Sequence, residues 1–234
     1  MINYSGLSFP EMDIFIAGPE YAEKSADHTI ELCPEYFERE YRKYVAERKA
    51  KNLPYVNKSL FSLYILTHRI SSYLIKEDYY LFHAACVVVD NEAYLFTAES
   101  GVGKSTHAGN WVKYFGERAV LQNDDMPYVH FENDVPYVYG SPYMGSRGQG
   151  INASFPIKAI CFINRAENNS AVKITDPSQF VKVIRSGMKM PKYMLDRDSV
   201  MAFFKKLFTT VNVYDIYCNM DVESAKAAYD CINS

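Results

Sequence analysis

In Ala98-Glu99-Ser100-Gly101-Val102-Gly103-Lys104-Ser105-Thr106, two glycines, a lysine and three hydroxyls stand at the spacing of a phosphate-binding loop. Glycine lets successive backbone N–H groups turn into one concavity. A helix starting at its end adds the positive end of its dipole, so polyphosphate can be held largely by main chain. Lys104 would reach the β- and γ-phosphates, and the Ser105 hydroxyl would take one position on Mg²⁺. The general pattern opens with glycine where this chain has Ala98, a methyl that is tolerated unless φ must be positive. Further along, Gln122-Asn123-Asp124-Asp125 brings two neighbouring carboxylates. One acid suffices to hold a metal, and a second can accept the proton of an attacking hydroxyl, the general-base role of phosphoryl transfer. Which acid does which stays open, because one residue of register reverses a side chain's direction at a strand end.

These residues need a strand before the loop and a helix after it. Ala93-Tyr94-Leu95-Phe96-Thr97 is apolar and β-prone; Ala108, Trp111, Val112 and Phe115 recur at i, i+3, i+4 and i+7, one face of a helix that Gly116 ends. Cys86 to Val89 and Ala93 to Phe96 flank Asp90-Asn91-Glu92 as a hairpin that delivers the chain into the loop, so the sheet is mixed. Ala119-Val120-Leu121 is predicted as a short buried strand ending at the acid pair, where α/β sheets place ligands. Tyr128 to Phe131 and Val135 to Tyr139 form a second hairpin around Asn133-Asp134, and Gly140 to Gly150 is glycine-rich enough for a mobile active-site loop. Ile157 to Ile163 reads as a buried strand with Ala171 to Ile174 pairing beside it. Residues 178–187 and 196–208 read as helices, Val211 to Tyr217 as the last strand, and Asp221 as the cap of a closing helix through Ile232.

Upstream, Met12 to Ile16 alternates as one strand before Gly18-Pro19. Residues 34–51 are charged and tyrosine-rich, readable as an extended pairing segment or as a solvated helix. Leu60, Leu63, Tyr64, Ile70, Tyr73 and Leu74 give a helix over 58–76. With no repeat or low-complexity linker, the expectation is an α/β fold in two parts. An N-terminal α+β extension, 1–78, packs on a mixed-sheet domain, 79–234.

Composition narrows the partners. Forty-eight per cent apolar and 23% charged residues in 234 are ordinary for a globular chain, and a net charge of −3 without a basic block gives no reason to expect nucleic acid or a membrane. Cysteines 33, 86, 161, 218 and 231 are scattered and form no C-x-x-C pair, so they read as buried thiols in a reducing compartment. The first residues lack the basic and apolar regions of a signal peptide, and the expected location is the cytoplasm. Trp111, His107 and the excess of Tyr and Phe read as core by default.

The Ser-Gly-x-Gly-Lys-Ser form of the loop, the hairpin feeding it and the acids of Asn123-Asp124-Asp125 resemble the C-terminal kinase domain of HPr kinase/phosphorylase. More distantly they are similar to the nucleotide site of ATP-dependent phosphoenolpyruvate carboxykinase. Phe82-His83-Ala84 stands where that family has a histidine near the catalytic site, and Arg147-Gly148-Gln149-Gly150-Ile151 resembles its Arg-Gly-x-Gly signature. The similarity spans about residues 80 to 165 and extends to small HPr-kinase-related proteins, some of which are tailoring kinases in peptide biosynthesis. The resemblance implies a P-loop kinase core that binds ATP along Ser100 to Thr106, with its phosphates at Gly101, Val102, Gly103, Lys104 and Ser105. It implies metal at Ser105 and one of Asp124 or Asp125, and proton abstraction by the other. It places His83 near the transferred phosphoryl group, although the residues alone make a histidine beside Ala84 and Ala85 an interior one.

Positive charge must balance the phosphoryl oxygens as the bond breaks. Arg147 is the first choice, Arg165 at a strand end the next, while Arg185, Lys189, Lys192 and Arg197 read as a solvated helix face. The chain departs from the family twice. Gly145 replaces an acid two residues before Arg-Gly, and the first 78 residues do not look like the family's separate N-terminal domain. The expected function is an ATP- and Mg²⁺-dependent kinase acting on a hydroxyl of a small molecule or of a peptide Ser/Thr. The alternatives are a reversible HPr-type protein kinase and a nucleotide-binding regulatory module without transfer activity. No Asn-Lys-x-Asp guanine-reading motif is present, since Asn57-Lys58-Ser59-Leu60 lacks the Asp, and the chain is too short for carboxykinase machinery. Because the related kinases assemble, the tyrosine-rich N-terminal part is a candidate interface for a homo-oligomer.

Overall fold

The computed structural model describes residues 2–5, 28–31, 33–141, 143–145, 150–188 and 197–234. Strands β1 (Ile2–Ser5) and β2 (His28–Glu31) form a parallel pair. Nine further strands form one mixed sheet: β3 (Tyr80–Leu81), β4 (Ala85–Val89), β5 (Glu92–Thr97), β6 (Ala119–Asn123), β7 (Tyr128–Glu132), β8 (Val135–Tyr139), β9 (Ser154–Arg165), β10 (Ser170–Lys173) and β11 (Asn212–Cys218). The order is β3-β7-β8-β9-β5-β4-β6, with β11 paired to β9 and β10 to β11. The β9 strand runs parallel to both β5 and β11; the remaining pairs are antiparallel. Because β4 is antiparallel to both of its neighbours, β6 runs parallel to β5. The carboxyl ends of β5, β6, β9 and β11 therefore lie along one sheet edge, together with the amino end of β4. This is a mixed α/β fold.

Local chemistry explains the joints. Asp90 and Asn91, at φ 50° and 65°, and Asn133 and Asp134, at 48° and 66°, supply the paired left-handed residues that a tight hairpin turn needs. Every residue of β4 is buried, as an Ala-Cys-Val-Val-Val strand covered on both faces should be. On one face, helices α3 (Lys104–Phe115) and α6 (Glu223–Ile232) pack over Tyr94, Phe96, Cys161 and Ile216, with Trp111 at the centre. On the other, α4 (Phe180–Gly187) and α5 (Arg197–Thr210) bring Val183, Phe203, Phe204 and Leu207 onto Leu95, Ile160 and Phe162.

The segment left open between strand and helix is α1 (Pro34–Ala50), which packs Phe37 and Tyr41 on Phe61, Ile65 and Leu66 of α2 (Lys58–Leu74). Asn57 caps α2 by accepting from the Leu60 N–H at 2.8 Å. The hairpin meets the sheet through Ile70 against Leu81, Tyr128 and Tyr143, and through the Ser71 and Tyr128 hydroxyls at 3.1 Å.

Four expectations need correction. The β6 strand is an edge strand whose first three residues are not buried; only Gln122 and Asn123 are. The β10 strand pairs with β11, not with β9. Asp221 places no side-chain cap on α6; its carbonyl accepts from the Ser224 N–H instead. All five cysteines are free, but Cys33 is exposed and Cys231 half-buried. The strand expected at residues 12–16 lies outside the described residues. Among the described residues, no helix is long and apolar enough to cross a membrane.

Candidate active site

The phosphate-type loop leaves β5 after Thr97 and enters α3 at Lys104, with Gly101 at φ 78° and Gly103 at φ 123°. A Cβ at either glycine would meet nothing within 4 Å. Glycine is therefore demanded by backbone conformation, and the space over the loop is open. The first turn of α3 carries no side-chain cap and no acidic residue, which leaves its N–H groups and dipole facing that space. Ser105 and Thr106 are half-buried in that turn. From outside, Arg165 at the end of β9 donates to the carbonyls of Gly101 and of Val102, the latter at 2.9 Å. Arg165, expected to balance phosphoryl charge, thus grips the loop's back and turns its carbonyls away from the concavity.

Three of the sequence-predicted residues meet across adjacent strands. His83 precedes β4, Lys104 follows β5, and Asp125 follows β6. Lys104 Nζ lies 3.0 Å from His83 Nε2, and Asp125 Oδ1 lies 3.3 Å from the same nitrogen. His83 Nδ1 stands 3.0 Å from the carbonyl of Ser186, which can only accept, so the hydrogen is on Nδ1 and the Nε2 lone pair faces the lysine. The ring is mostly covered, and its second nitrogen meets a cation and a carboxylate.

The two acids differ in setting. Asp124 is buried, and its Oδ1 accepts from the Gly145 N–H at 2.6 Å. Asp125 keeps 29% of its side chain exposed. Asn123 holds the pair in place. It is fully buried; its Oδ1 accepts from the N–H groups of Asp125 and Met126 at 2.9 and 2.8 Å, and its Nδ2 donates to Ser141 at 3.3 Å. This turn chemistry is the Asx motif, legible in the sequence as an Asn two residues before the turn it closes. Gly145, noted above as a lost acid, has a definite place here. A Cβ on it would come within 3.1 Å of the Asp124 carboxylate, so glycine lets the backbone come close to Asp124. Gly150 bridges to Asn123, and the Ile151 N–H donates to the Gln122 carbonyl at 2.9 Å, which ties the far end of the glycine-rich segment to β6.

Other candidates fall elsewhere. His107 is on the buried face of α3, accepting from Trp111 Nε1 at 3.0 Å, and burial pushes its pKa down to about 4. It is a core histidine. Arg185 is exposed on α4, as a solvated face requires. Arg147, Lys189, Lys192 and the Arg197 side chain lie outside the described residues. The sequence reading passed over the end of α4, whose Ser186 carbonyl holds His83 from 103 positions away.

These residues fit a magnesium-bound nucleoside triphosphate. The α3 N-terminus, without a side-chain cap, and the open glycine loop offer main-chain donors, Lys104 supplies a cation, and Ser105 with the acid pair supplies hard oxygen ligands. Among the described residues no three His, Cys, Asp or Glu side chains gather to hold a metal by themselves, so phosphate oxygens and water would complete its shell.

No protein-family model matches the chain, and no curated protein does. Among solved structures, the chain is similar to the HPr(Ser) kinase/phosphatase from Coxiella burnetii, at 16% identity over 59% of this chain and 84% of that one, with a TM-score of 0.32. A likeness that loose carries no argument about activity.

Proposed function

We propose that the chain is an ATP- and Mg²⁺-dependent kinase that transfers the γ-phosphoryl group to a hydroxyl, on a small molecule or on a Ser/Thr of a peptide. The observation that carries this reading is the meeting of Lys104, His83 and Asp125 within 3.0 and 3.3 Å beside an uncapped helix start and a glycine loop. The β3–β11 sheet with its helices, from residue 79 on, is proposed as the catalytic unit, and the segment before it as an extension packed upon it.

In this reading the loop N–H groups of Gly101 to Ser105 and the Lys104 ammonium bind the phosphates. Asp124, buried and oriented by Gly145, joins Ser105 in holding the metal. Bound there, Mg²⁺ would draw charge from the β- and γ-phosphate oxygens. Asp125, the more exposed acid, takes the proton of the acceptor hydroxyl as its oxygen bonds to the γ-phosphorus and the bond from that phosphorus to the β–γ bridging oxygen breaks, releasing ADP. His83 Nε2 accepts from the Lys104 ammonium at 3.0 Å and so positions the lysine beside Asp125. A positive side chain is needed for charge balance, and Arg147 is the proposed one.

The test is incubation of the full chain with γ-labelled ATP, Mg²⁺ and pools of hydroxyl-bearing metabolites and peptides, including HPr, read by intact mass. Label transfer by the wild type and its loss in Asp125→Asn supports the kinase. Tight ATP binding with no transfer to any pool would replace it with the regulatory module, and label on HPr that inorganic phosphate removes would replace it with the reversible protein kinase.

A further inference from the structure

His83 stands at the head of β4, and nothing in its own strand decides which ring nitrogen carries hydrogen. The end of α4 does. The Gly187 carbonyl accepts from the His83 backbone N–H at 2.6 Å, the Ser186 carbonyl accepts from His83 Nδ1 at 3.0 Å, and Met188 pairs antiparallel with Phe82. Two features seat that helix end. A Cβ on Gly187 would lie 2.5 Å from two atoms of the buried Phe82 ring, so only glycine allows the helix to reach this depth. One turn earlier, Lys182 donates to both oxygens of Asp215 at 2.6 and 2.7 Å. Asp215 is buried on β11, takes a further bond from Asn164 Nδ2 at 3.1 Å, and has the Phe162 ring beside the same ammonium, 5.1 Å from its centre. A buried carboxylate needs such partners, which makes the Lys182 position well determined.

We propose that α4 is a tautomer clamp, in which Gly187 and the Lys182–Asp215 pair are positioning residues that keep hydrogen on His83 Nδ1. The consequence for transfer rests on the kinase reading, because a hydrogen on Nε2 would face the Lys104 ammonium and remove His83 as its acceptor. The clamp itself does not depend on that reading. It acts through the backbone carbonyls of Ser186 and Gly187, so removing the Ser186 side chain leaves it intact.

The experiment uses the full chain labelled with ¹⁵N-histidine, with long-range ¹H–¹⁵N correlations of the imidazoles recorded at pH 8 and His83→Gln used to assign the signal. The wild type is expected to show Nδ1–H at His83. Gly187→Ala is expected to move His83 towards the Nε2–H form and to lower kcat about 10-fold or more with little change in KM for ATP. Should that variant not fold, Lys182→Met with Asp215→Asn, which removes both charges together, is expected to shift the same signal in the same direction. Nε2–H in the wild type, or an unchanged tautomer in whichever variant folds, overturns the clamp. Absence of phosphoryl transfer by the wild type would instead overturn the kinase reading and leave the tautomer result standing.

Discussion

The two faces of the sheet each carry a histidine beside the phosphate-type loop, and the two are used in opposite ways. On the α3/α6 face, His107 is enclosed by Trp111, Phe96 and Ser224, with its ring nitrogens spent on the indole N–H and a serine hydroxyl. On the α4/α5 side, His83 has one nitrogen pinned by a carbonyl and the other turned to Lys104 and Asp125. Residue type does not separate them; what closes over each ring does. The first face spends its polar atoms on packing, the second keeps one lone pair for work.

The sharpest way to break that comparison is at Lys104. Lys104→Met is expected to reduce ATP-dependent phosphorylation by about 10³-fold, the order of magnitude lost with one preorganised charge donor, while far-UV circular dichroism and melting temperature stay near wild type. Trp111→Ala on the opposite face is expected to do the reverse. With the indole fully buried, it should cost about 3–5 kcal/mol in urea unfolding yet leave kcat intact at temperatures where the variant is folded.

The pH dependence of stability sharpens the contrast. Burial holds the pKa of His107 at about 4, below an unfolded value near 6.5. The unfolded chain therefore binds the extra proton first as pH falls. Stability from this group is full above about pH 6.5 and is lost as pH drops towards 4, by about 3 kcal/mol. His107→Gln should flatten that part of the curve in denaturant titrations. A residual slope is expected from His68, likewise pushed down to about 4 by burial. The smallest effect is at Arg165, which is exposed: Arg165→Ala should weaken ATP binding only about threefold, measured by calorimetry, with unfolding unchanged within about 0.5 kcal/mol.

Motifs with local rules were legible. The loop, its feeding hairpin, the following helix ended by Gly116 at φ 56°, and the strand delivering the acids follow from turn chemistry and periodicity alone. Edge status was not, because Ala119 to Leu121 are apolar in any sheet position and only pairing decides their exposure. The partner of β10 was missed for the same reason: strand adjacency is set by β11, which arrives 40 residues later in the chain. At the site, residue types announced Lys104 and the acids. The holding groups did not announce themselves, since the carbonyls of Ser186 and Gly187 and the N–H of Gly145 are backbone atoms that every sequence possesses. Only Asn123 among them had a readable signature.

The separation between His83 and the helix end that orients it also bears on how the molecule matures. The β4/β5 hairpin and the start of α3 close through near-neighbour contacts, which form early and fast. The orientation of the histidine depends instead on distant pairings, with β9 beside β5 and residues 186–188 against residues 82 and 83. Contact separation thus sets the two apart: the frame of the loop closes between neighbours in the chain, while the imidazole is oriented from 103 positions away.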